Sequence, residues 1–436
     1  MDYIQPVFTE EYYKPEVREN FRIAEMTKRY MAAQLKVLSE IDKICKRHNI
    51  RWFADFGTLL GAVRHRGFIP WDDDIDISMP RSDYEHFLQA AIEELPENYR
   101  VFDVLITEDY SDPFGRVVNN SRIEYGEEYL KENCGCPYTA GIDIYPLDAV
   151  YDDEEDEQDR CERAMMVRRV YDMVESGHGS SRECKMLLTR IEMDNNVRLS
   201  GKSHLKYALE NLLRAIYSEC LTDRTEYIAY MSGWTSRRLY RYKREWFEHT
   251  EYLPFENIEI PVPRGYDDVL KVMFGNYMNY NRSGSSHSYP VYREQQQILI
   301  EHLNRESNKK MLDYITRTSD KHEEHDRKCT EILDMCDHVM GVIHGQMAGS
   351  IVSCQMLLQG MIQLMDSLES LVIADYSDTI TVIYRIRGLR DILPTEAVSE
   401  IPTQDEFDER IGRIDQYLKD IRKGIDELYR GSERIC

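Results

Sequence analysis

The sequence predicts an α+β chain: a mixed β-sheet with flanking helices, followed by a C-terminal α-helical module. Three observations carry that expectation. Strand-like alternation and helix-like spacing interleave through residues 1–150. Beyond about residue 300, polar-rich helical stretches run on with few turn signals until Pro394 and Pro402. Finally, 436 residues exceed one ordinary compact core, which stops growing at roughly 250 to 300 residues, so two folding units are expected.

Residues 21–48 set Ile23, Met26, Tyr30, Met31, Leu35, Leu38, Ile41, Ile44 and Cys45 mostly at three-and-four spacing, an amphipathic helix ending near Arg47 to Asn49. Trp52 to Ala54 read as a short strand running into Gly57, with Thr58 placed to cap a helix through Leu59, Leu60 and Val63. After the Pro70 break, Ile75, Ile77 and Met79 alternate with Asp74, Asp76 and Ser78, a strand with one acidic face. Ser82 and Glu85 have capping-box spacing and open a helix that Pro96 closes. Short strands are expected at 100–106, 115–118, 121–125 and 141–145. The acidic run 152–157 reads as a solvated loop or helix start, and helical patterning dominates 160–232. A β-flavoured patch follows at Ile258 to Val262.

In the tail, segments 308–345, 346–373 and 404–432 have helical spacing. One expected apolar stripe is Ile332, Met335, Val339 and Ile343, and another is Ile411, Ile414, Leu418, Ile421 and Ile425. A helical hairpin or a homo-oligomerisation bundle would use such stripes. The expected division is an N-terminal extension at 1–21, a main domain at 22–298 and a helical module at 299–436.

Composition removes several function classes. A net charge of −24 gives a surface that repels phosphate backbones, so no nucleic-acid partner is expected. Hydrophobic content of 42% excludes wholesale disorder. The most apolar segment, Ile351 to Met365, is interrupted by Ser353, Gln355, Gln359 and Gln363, so no transmembrane segment is expected. The start MDYIQPVFTEEYY has neither a basic beginning nor an apolar run, and ten cysteines are too sparse for a disulfide scaffold. The expectation is a cytoplasmic protein with reduced thiols, peripheral to a membrane's inner face if associated at all.

The chemistry concentrates in Trp71-Asp72-Asp73-Asp74-Ile75-Asp76-Ile77. On a strand, Asp74 and Asp76 project from one face, and carboxylates so close repel unless a cation lies between them. Oxygen-only donors select Mg²⁺ or Mn²⁺; the competing reading is an acidic loop or a calcium site. Asp143, in the alternating stretch Gly141 to Tyr145, offers a third carboxylate. Gly57 and Thr58 make a strand-to-helix turn whose N–H groups suit a phosphate.

These residues carry a resemblance. Asp55 to Ile77 closely resembles the signature of LicD-type phosphotransferases, a nucleotidyltransferase-fold branch that includes the fukutin-related proteins. Ile142 to Asp148 is similar to the family's third motif, and Leu253 to Asp267 to its closing segment, so the likeness spans roughly residues 22–295. It implies a nucleotidyltransferase-like fold and an enzyme that moves a phospho-alcohol group, such as phosphocholine, from a CDP-linked alcohol donor to a hydroxyl of a cell-surface glycan or glycopolymer, releasing CMP. By motif position Asp74 and Asp76 are the metal pair and Asp143 the third acid, sharing the metal or taking the acceptor's proton. Asp55 also fits the pattern.

Other candidates for substrate contact are weighed against blander roles. Arg64 and His65 suit a local basic patch, against a surface salt bridge or loop ordering. Trp71 suits stacking on a base or sugar, against packing of its loop. Arg116 and Arg122 suit donor contacts, against plain solvation. His322, His325, Cys329 and Cys336 fall at helical spacing, which heptad-like placement explains better than zinc; Cys134-Gly135-Cys136 lacks the usual knuckle gap. The rival functions are a nucleotidylyltransferase that releases pyrophosphate and a catalytically silent scaffold working through its tail.

Overall fold

The computed structural model describes residues 3–19, 21–107, 110–199, 204–221, 224–279, 289–319, 323–346, 351–375, 380–394 and 403–431. A small hairpin of β1 (Glu16–Arg18) and β2 (Phe21–Ile23) precedes α1 (Glu25–His48). The first helix therefore starts four residues later than its spacing suggests, because Phe21 to Ile23 are spent on strand pairing. Asn49 ends it in the left-handed region, at φ 53°. Next come β3 (Phe53–Ala54), α2 (Phe56–Arg64), β4 (Asp76–Pro80) and α3 (Arg81–Glu94). The expected Ser82–Glu85 capping box does not form, since the helix already begins at Arg81 behind Pro80.

Beyond α3 lie β5 (Arg100–Phe102), β6 (Gly115–Val118), α4 (Glu127–Glu132) and β7 (Gly141–Ala149). Residues 121–125 do not form the expected strand. Their backbone donors are taken locally instead: Ser121 N–H by Asn120 Oδ1 at 2.8 Å and Tyr125 N–H by Glu124 Oε1 at 3.1 Å. The acidic run opens α5 (Glu154–Glu175), where Asp153 accepts from Glu155 and Asp156 N–H and negative charge meets the positive end of the helix dipole. The helical stretch continues with α6 (Arg182–Asp194) and α7 (Leu205–Tyr217). It is then broken by β8 (Tyr227–Ala229), before α8 (Met231–Arg237) and β9 (Arg241–Lys243).

These strands build one mixed sheet in the order β3-β4-β7-β6-β5, with β8 added to the far end of β7 and β9 to β8. β4 and β7 run parallel; β3–β4, β5–β6, β6–β7 and β7–β8 run antiparallel. The helical and strand content around this sheet is the α+β architecture read from the sequence.

A second hairpin, β10 (Thr250–Phe255) and β11 (Ile258–Pro263), is followed by α9 (Tyr266–Phe274), α10 (Arg293–Glu306) and α11 (Lys309–Thr318). The tail holds α12 (Glu323–Gln346), α13 (Ile351–Asp375), α14 (Ile380–Ile392) and α15 (Gln404–Gly431).

Packing divides into three main apolar clusters. The main core joins α1, the sheet and the β10–β11 hairpin, and extends through Leu299, Leu303, Met311 and Ile315, so residues 299–315 pack with the sheet domain. A second core fills the α5–α8 region, around Val167, Leu209 and Leu213. The third runs from Cys329 to Ile425 within the tail. There the α12 stripe is Cys329, Leu333, Cys336, Met340 and Ile343; of the expected stripe, Ile343 lies in it, Ile332 and Val339 pack at its edge, and Met335 is exposed. The α15 stripe is as expected, with Ile411, Ile414, Leu418, Ile421 and Ile425 all buried. His322, from the weighed zinc set, lies outside the described residues, as does the side chain of His325; Cys329 and Cys336 are core residues.

Candidate active site

Sheet register assembles the site. Asp76 on β4 lies opposite Asp143 on β7, and Asp143 lies opposite Arg116 on β6, so three strands set an acid, an acid and a base in one row. Arg116 grips both oxygens of Asp143, Nε donating to Oδ1 and the terminal nitrogen to Oδ2 at 2.8 Å. Asp74 precedes β4 in extended chain, and residues 72–77 alternate half-buried and buried, as a strand-like spacing requires. Desolvation pushes the Asp76 carboxyl well above the ordinary range, and Asp74, Asp143, Asp72 and Asp55 push it further. Burial raises Asp143 as well, against the pull of Arg116.

The turn beneath this row differs from its sequence reading in one respect. Asp55, not Thr58, caps α2, its carboxylate accepting Phe56 N–H at 2.9 Å. Burial moves that carboxyl up to about 6. Thr58, one turn further in, instead ties the helix to the acidic strand, because its hydroxyl accepts Asp76 N–H at 2.8 Å. Asp55 N–H donates to the Asp76 carbonyl at 3.1 Å, a second tie. A Cβ on Gly57 would push the Asp72 carboxylate aside, and Gly61 is needed because a Cβ there would strike the Gly67 carbonyl oxygen.

The loop between α2 and β4 is held from outside. The carboxylate of Glu256, in the β10–β11 turn, accepts Phe68 N–H at 3.1 Å and Arg18 at 2.8 Å, and Phe255 packs on Phe68 with centroids 4.9 Å apart. Asp73 is fully buried and accepts Val291 N–H at 3.0 Å, which makes it an anchor for the segment before α10.

Several expected substrate contacts are placed otherwise. Trp71 is 6% exposed and packs edge-on against Phe21 and His65, so its indole is closed to a stacking ligand. Arg64 donates to the Tyr277 carbonyl at 2.9 Å, linking α2 to the segment after α9. His65 ends α2 beside it. Arg116 serves Asp143. Arg122 is exposed on the irregular 121–125 segment and pairs with Glu124 at 3.5 Å, outside the acidic row. The structure thus brings Asp55, Gly57, Thr58, Asp74, Asp76, Asp143 and Arg116 together.

One group escaped the sequence reading. Phe56, Phe114, Tyr145, Tyr230 and Tyr240 gather beside the acidic row, Tyr145 at the centre with Phe56 and Phe114 each 4.7 Å away and Tyr230 5.0 Å away, centroid to centroid. Tyr145 shares a face of β7 with Asp143 and was legible by that period. Tyr230 and Tyr240 arrive from the β8–β9 region, with no local signal.

Among the described residues, no three His, Cys, Asp or Glu side chains converge closely enough to hold a divalent cation as the chain stands. The donor chemistry nevertheless fits a hard cation: the half-buried Asp76 is surrounded by carboxylates that only added positive charge would relieve. Asp143 joins on whatever lone pairs Arg116 leaves.

Comparison with known proteins agrees with this geometry. Residues 49–125 match the family model described as LicD/FKTN/FKRP, nucleotidyltransferase domain. That segment is therefore similar to a LicD-type nucleotidyltransferase domain. The chain is 26% identical over 255 residues to the lipopolysaccharide cholinephosphotransferase LicD of Haemophilus influenzae, covering 56% of this chain and 88% of that protein. It is 30% identical over 139 residues to an uncharacterized protein of Rickettsia typhi, 28% of this chain and 41% of the other. The LicD match includes the turn at Asp55 to Thr58 and both Asp74 and Asp76. Among the described residues, no helix is long and apolar enough to cross a membrane.

Proposed function

We propose that this protein is a transferase of the LicD type. It moves a phospho-alcohol group from a CDP-linked alcohol to a hydroxyl of a cell-surface glycan such as a lipopolysaccharide or teichoic-acid-type acceptor, at the inner face of the membrane. The row Asp76–Asp143–Arg116, set by strand register beside the start of α2, is the observation that carries the reading. The similarity to a LicD-type domain and to a cholinephosphotransferase supports it.

In the transfer, the acceptor oxygen bonds to the alcohol-bearing phosphorus as the bond from that phosphorus to the bridging diphosphate oxygen breaks. CMP leaves with the electron pair, and the hydroxyl proton departs through the half-exposed acidic row. Such a reaction asks mainly for positioning and for charge around the phosphoryl oxygens. Asp74 and Asp76 would hold Mg²⁺ or Mn²⁺, which supplies that positive charge when bound. Thr58 fixes the backbone of Asp76, and the Asp55 cap fixes Thr58. Asp143 is suited to orienting the site, because both of its oxygens are already engaged by the Arg116 guanidinium.

The test is incubation of the full chain with a panel of CDP-alcohols and Mg²⁺ or Mn²⁺, with a cell-envelope acceptor fraction. CMP release with label incorporated into the acceptor is the expected outcome. Pyrophosphate release from CTP or ATP would instead establish nucleotidylyl transfer, and no turnover with any donor would favour a silent scaffold.

A further inference from the structure

One end of the sheet holds a hollow that the acidic row does not use. A cleft of about 490 Å³ opens between residues 3–6, α1, the turn from α3 into β5 and the end of α4, with Tyr3, Lys36, Glu97, Asn98, Tyr99 and Glu132 among its walls. That volume lies in the range of roughly 300–1,000 Å³ common to small-molecule sites. The cleft is separate from the row. Ile142 and Ile144 of β7 are buried in the core that α1 shares, whereas Asp143 between them is half-buried and faces the other way. Since α1 is a wall of the cleft, the two lie on opposite faces of the sheet. Along the strands, Asn119 in the cleft wall follows Arg116 by three residues, about 10 Å, and its N–H continues the ladder to the Ala140 carbonyl at 3.0 Å.

The walls are fixed before any ligand arrives. Ser39 Oγ donates to the Ile4 carbonyl at 2.7 Å and Ile4 N–H to the buried Asp42 carboxylate at 2.8 Å, which straps the first residues onto α1. Tyr99 N–H closes its turn on the Pro96 carbonyl at 2.8 Å. Asn119, itself buried, donates to Asn133 Oδ1 at 2.9 Å and to the Tyr129 hydroxyl at 3.2 Å, and so fastens the end of α4 to β6. Three segments are thus braced around the hollow without filling it.

The lining selects by charge and by shape. Lys43 is paired with Glu40 at 2.6 Å and lies over the Tyr3 ring at 5.0 Å, and Lys36 donates to the Glu132 carbonyl. The Glu97 and Glu132 carboxylates have no cation partner among the described residues, so a phosphate or carboxylate ligand would meet uncompensated negative charge. Carboxylates only accept hydrogen bonds, an ammonium only donates, and the Asn98 amide does both. Hydroxyls that donate and accept at once match that mixture, whereas an apolar chain would leave it unsatisfied. Tyr99 adds a flat apolar face, and burial pushes its hydroxyl up, so the ring stays neutral.

We propose that this cleft is a saccharide site for a neutral mono- or disaccharide, with Tyr99 against the sugar ring and Glu97, Asn98 and Glu132 on its hydroxyls. Its place across the sheet makes it an anchor for a remote part of a glycan chain, not the seat of the hydroxyl that reacts. Holding the chain at a second point raises the effective concentration of that hydroxyl at the row. As an anchor it rests on the transfer reading; as a saccharide site it does not.

The test has a binding arm and a turnover arm. Saturation-transfer NMR of the full chain is run with the methyl glycosides of glucose, galactose, N-acetylglucosamine and N-acetylgalactosamine, with maltose and lactose, and with the 1-phosphates of the same monosaccharides as anionic controls. At least one neutral sugar is expected to bind, with its strongest saturation on the C–H protons of one ring face, and more tightly than its 1-phosphate. Tyr99→Ala should weaken that binding about tenfold, while Tyr99→Phe, which keeps the ring face, should retain it. Thermal melting checks that both variants fold, and Glu132→Arg, which fills the exposed rim, replaces Tyr99→Ala if that one does not. No saturation of any neutral sugar, tighter binding of a 1-phosphate, or binding untouched by the cleft variant would overturn the site. In the turnover arm, the same variant should raise KM for the envelope acceptor about fivefold or more with kcat unchanged. An unchanged KM in a variant that has lost sugar binding would overturn the anchor and leave the saccharide site standing. Sugar binding without CMP release from any donor would sink the transfer reading and leave the site.

Discussion

Arg116 and Asp143 decide how the acidic row behaves before any cation arrives. A guanidinium on both oxygens of Asp143 competes with a metal for that carboxylate. Arg116→Ala should therefore tighten Mn²⁺ binding, read by paramagnetic resonance titration, while slowing CMP release because positive charge near the phosphoryl group is lost. Looser Mn²⁺ binding in that variant would contradict the competition. Asp76 sits among carboxylates that raise its proton affinity, so its ionised form opposes folding when no cation is bound. Asp76→Asn should raise the melting temperature of the metal-free chain, by about 1 kcal/mol or more in stability, yet cut metal-dependent turnover about a hundredfold or more. Away from the site, burial lifts Glu210 from 4.5 to about 7, against the opposing charge of Arg168 at 3.4 Å. A raised acid stabilises the fold only while protonated. Stability should fall between about pH 4.5 and pH 7, by up to about 3 kcal/mol, and Glu210→Gln should flatten that fall in denaturant titrations across the window.

At the scale of elements, the start of α2 is a junction in which several close fits depend on one another. A methyl group on Gly57 would displace the Asp72 carboxylate, and with it the loop feeding Asp74 and Asp76. Gly57→Ala should cost about 1–3 kcal/mol and most of the turnover, whereas helix propensity alone would predict a gain. Unchanged activity with raised stability would show that the fit is looser than its geometry implies. What the sequence made legible follows the same division between local and distant causes. The acidic face of 74–79 and the partnership of Asp143 follow from alternation, which one strand carries by itself. Strand 121–125 failed because Asn120 and Glu124 side chains outcompete a ladder, and the Ser82 box because Pro80 starts the helix first. Trp71 resembled a ligand platform beside its aspartates, but only the arrival of Phe21 shows that its face is already covered. Tyr230 and Tyr240 were illegible for the complementary reason: more than eighty residues separate them from Tyr145, and no pattern in their own segment announces the meeting.

On the scale of the molecule, the apolar clusters separate what the sheet does from what the tail does. The main core ends at Ile315 and the tail core begins at Cys329, so the two bury their side chains independently even though α12 lies against β2. Within the tail, Arg422 on α15 reaches Asp334 at 2.9 Å and Asp337 at 2.6 Å on α12, and Arg390 on α14 reaches Asp366 on α13 at 2.8 Å. The Arg390 pair is exposed and adds little stability, while the Arg422 pairs are partly buried; the apolar stripes are the larger contribution to holding the helices. Ile414 is fully buried in that stripe, and Ile414→Ala should destabilise the tail by about 2–5 kcal/mol. Because no tail residue among the described ones contributes to the acidic row, the variant should shift one calorimetric transition downward and leave a second in place, with CMP release per molecule unchanged at temperatures below the first. A single transition that moves as a whole, or turnover that falls with the tail, would mean that the tail supports the catalytic sheet through the α12–β2 contact; the helical module would then be part of the enzyme's working structure rather than a separately folded partner-binding unit.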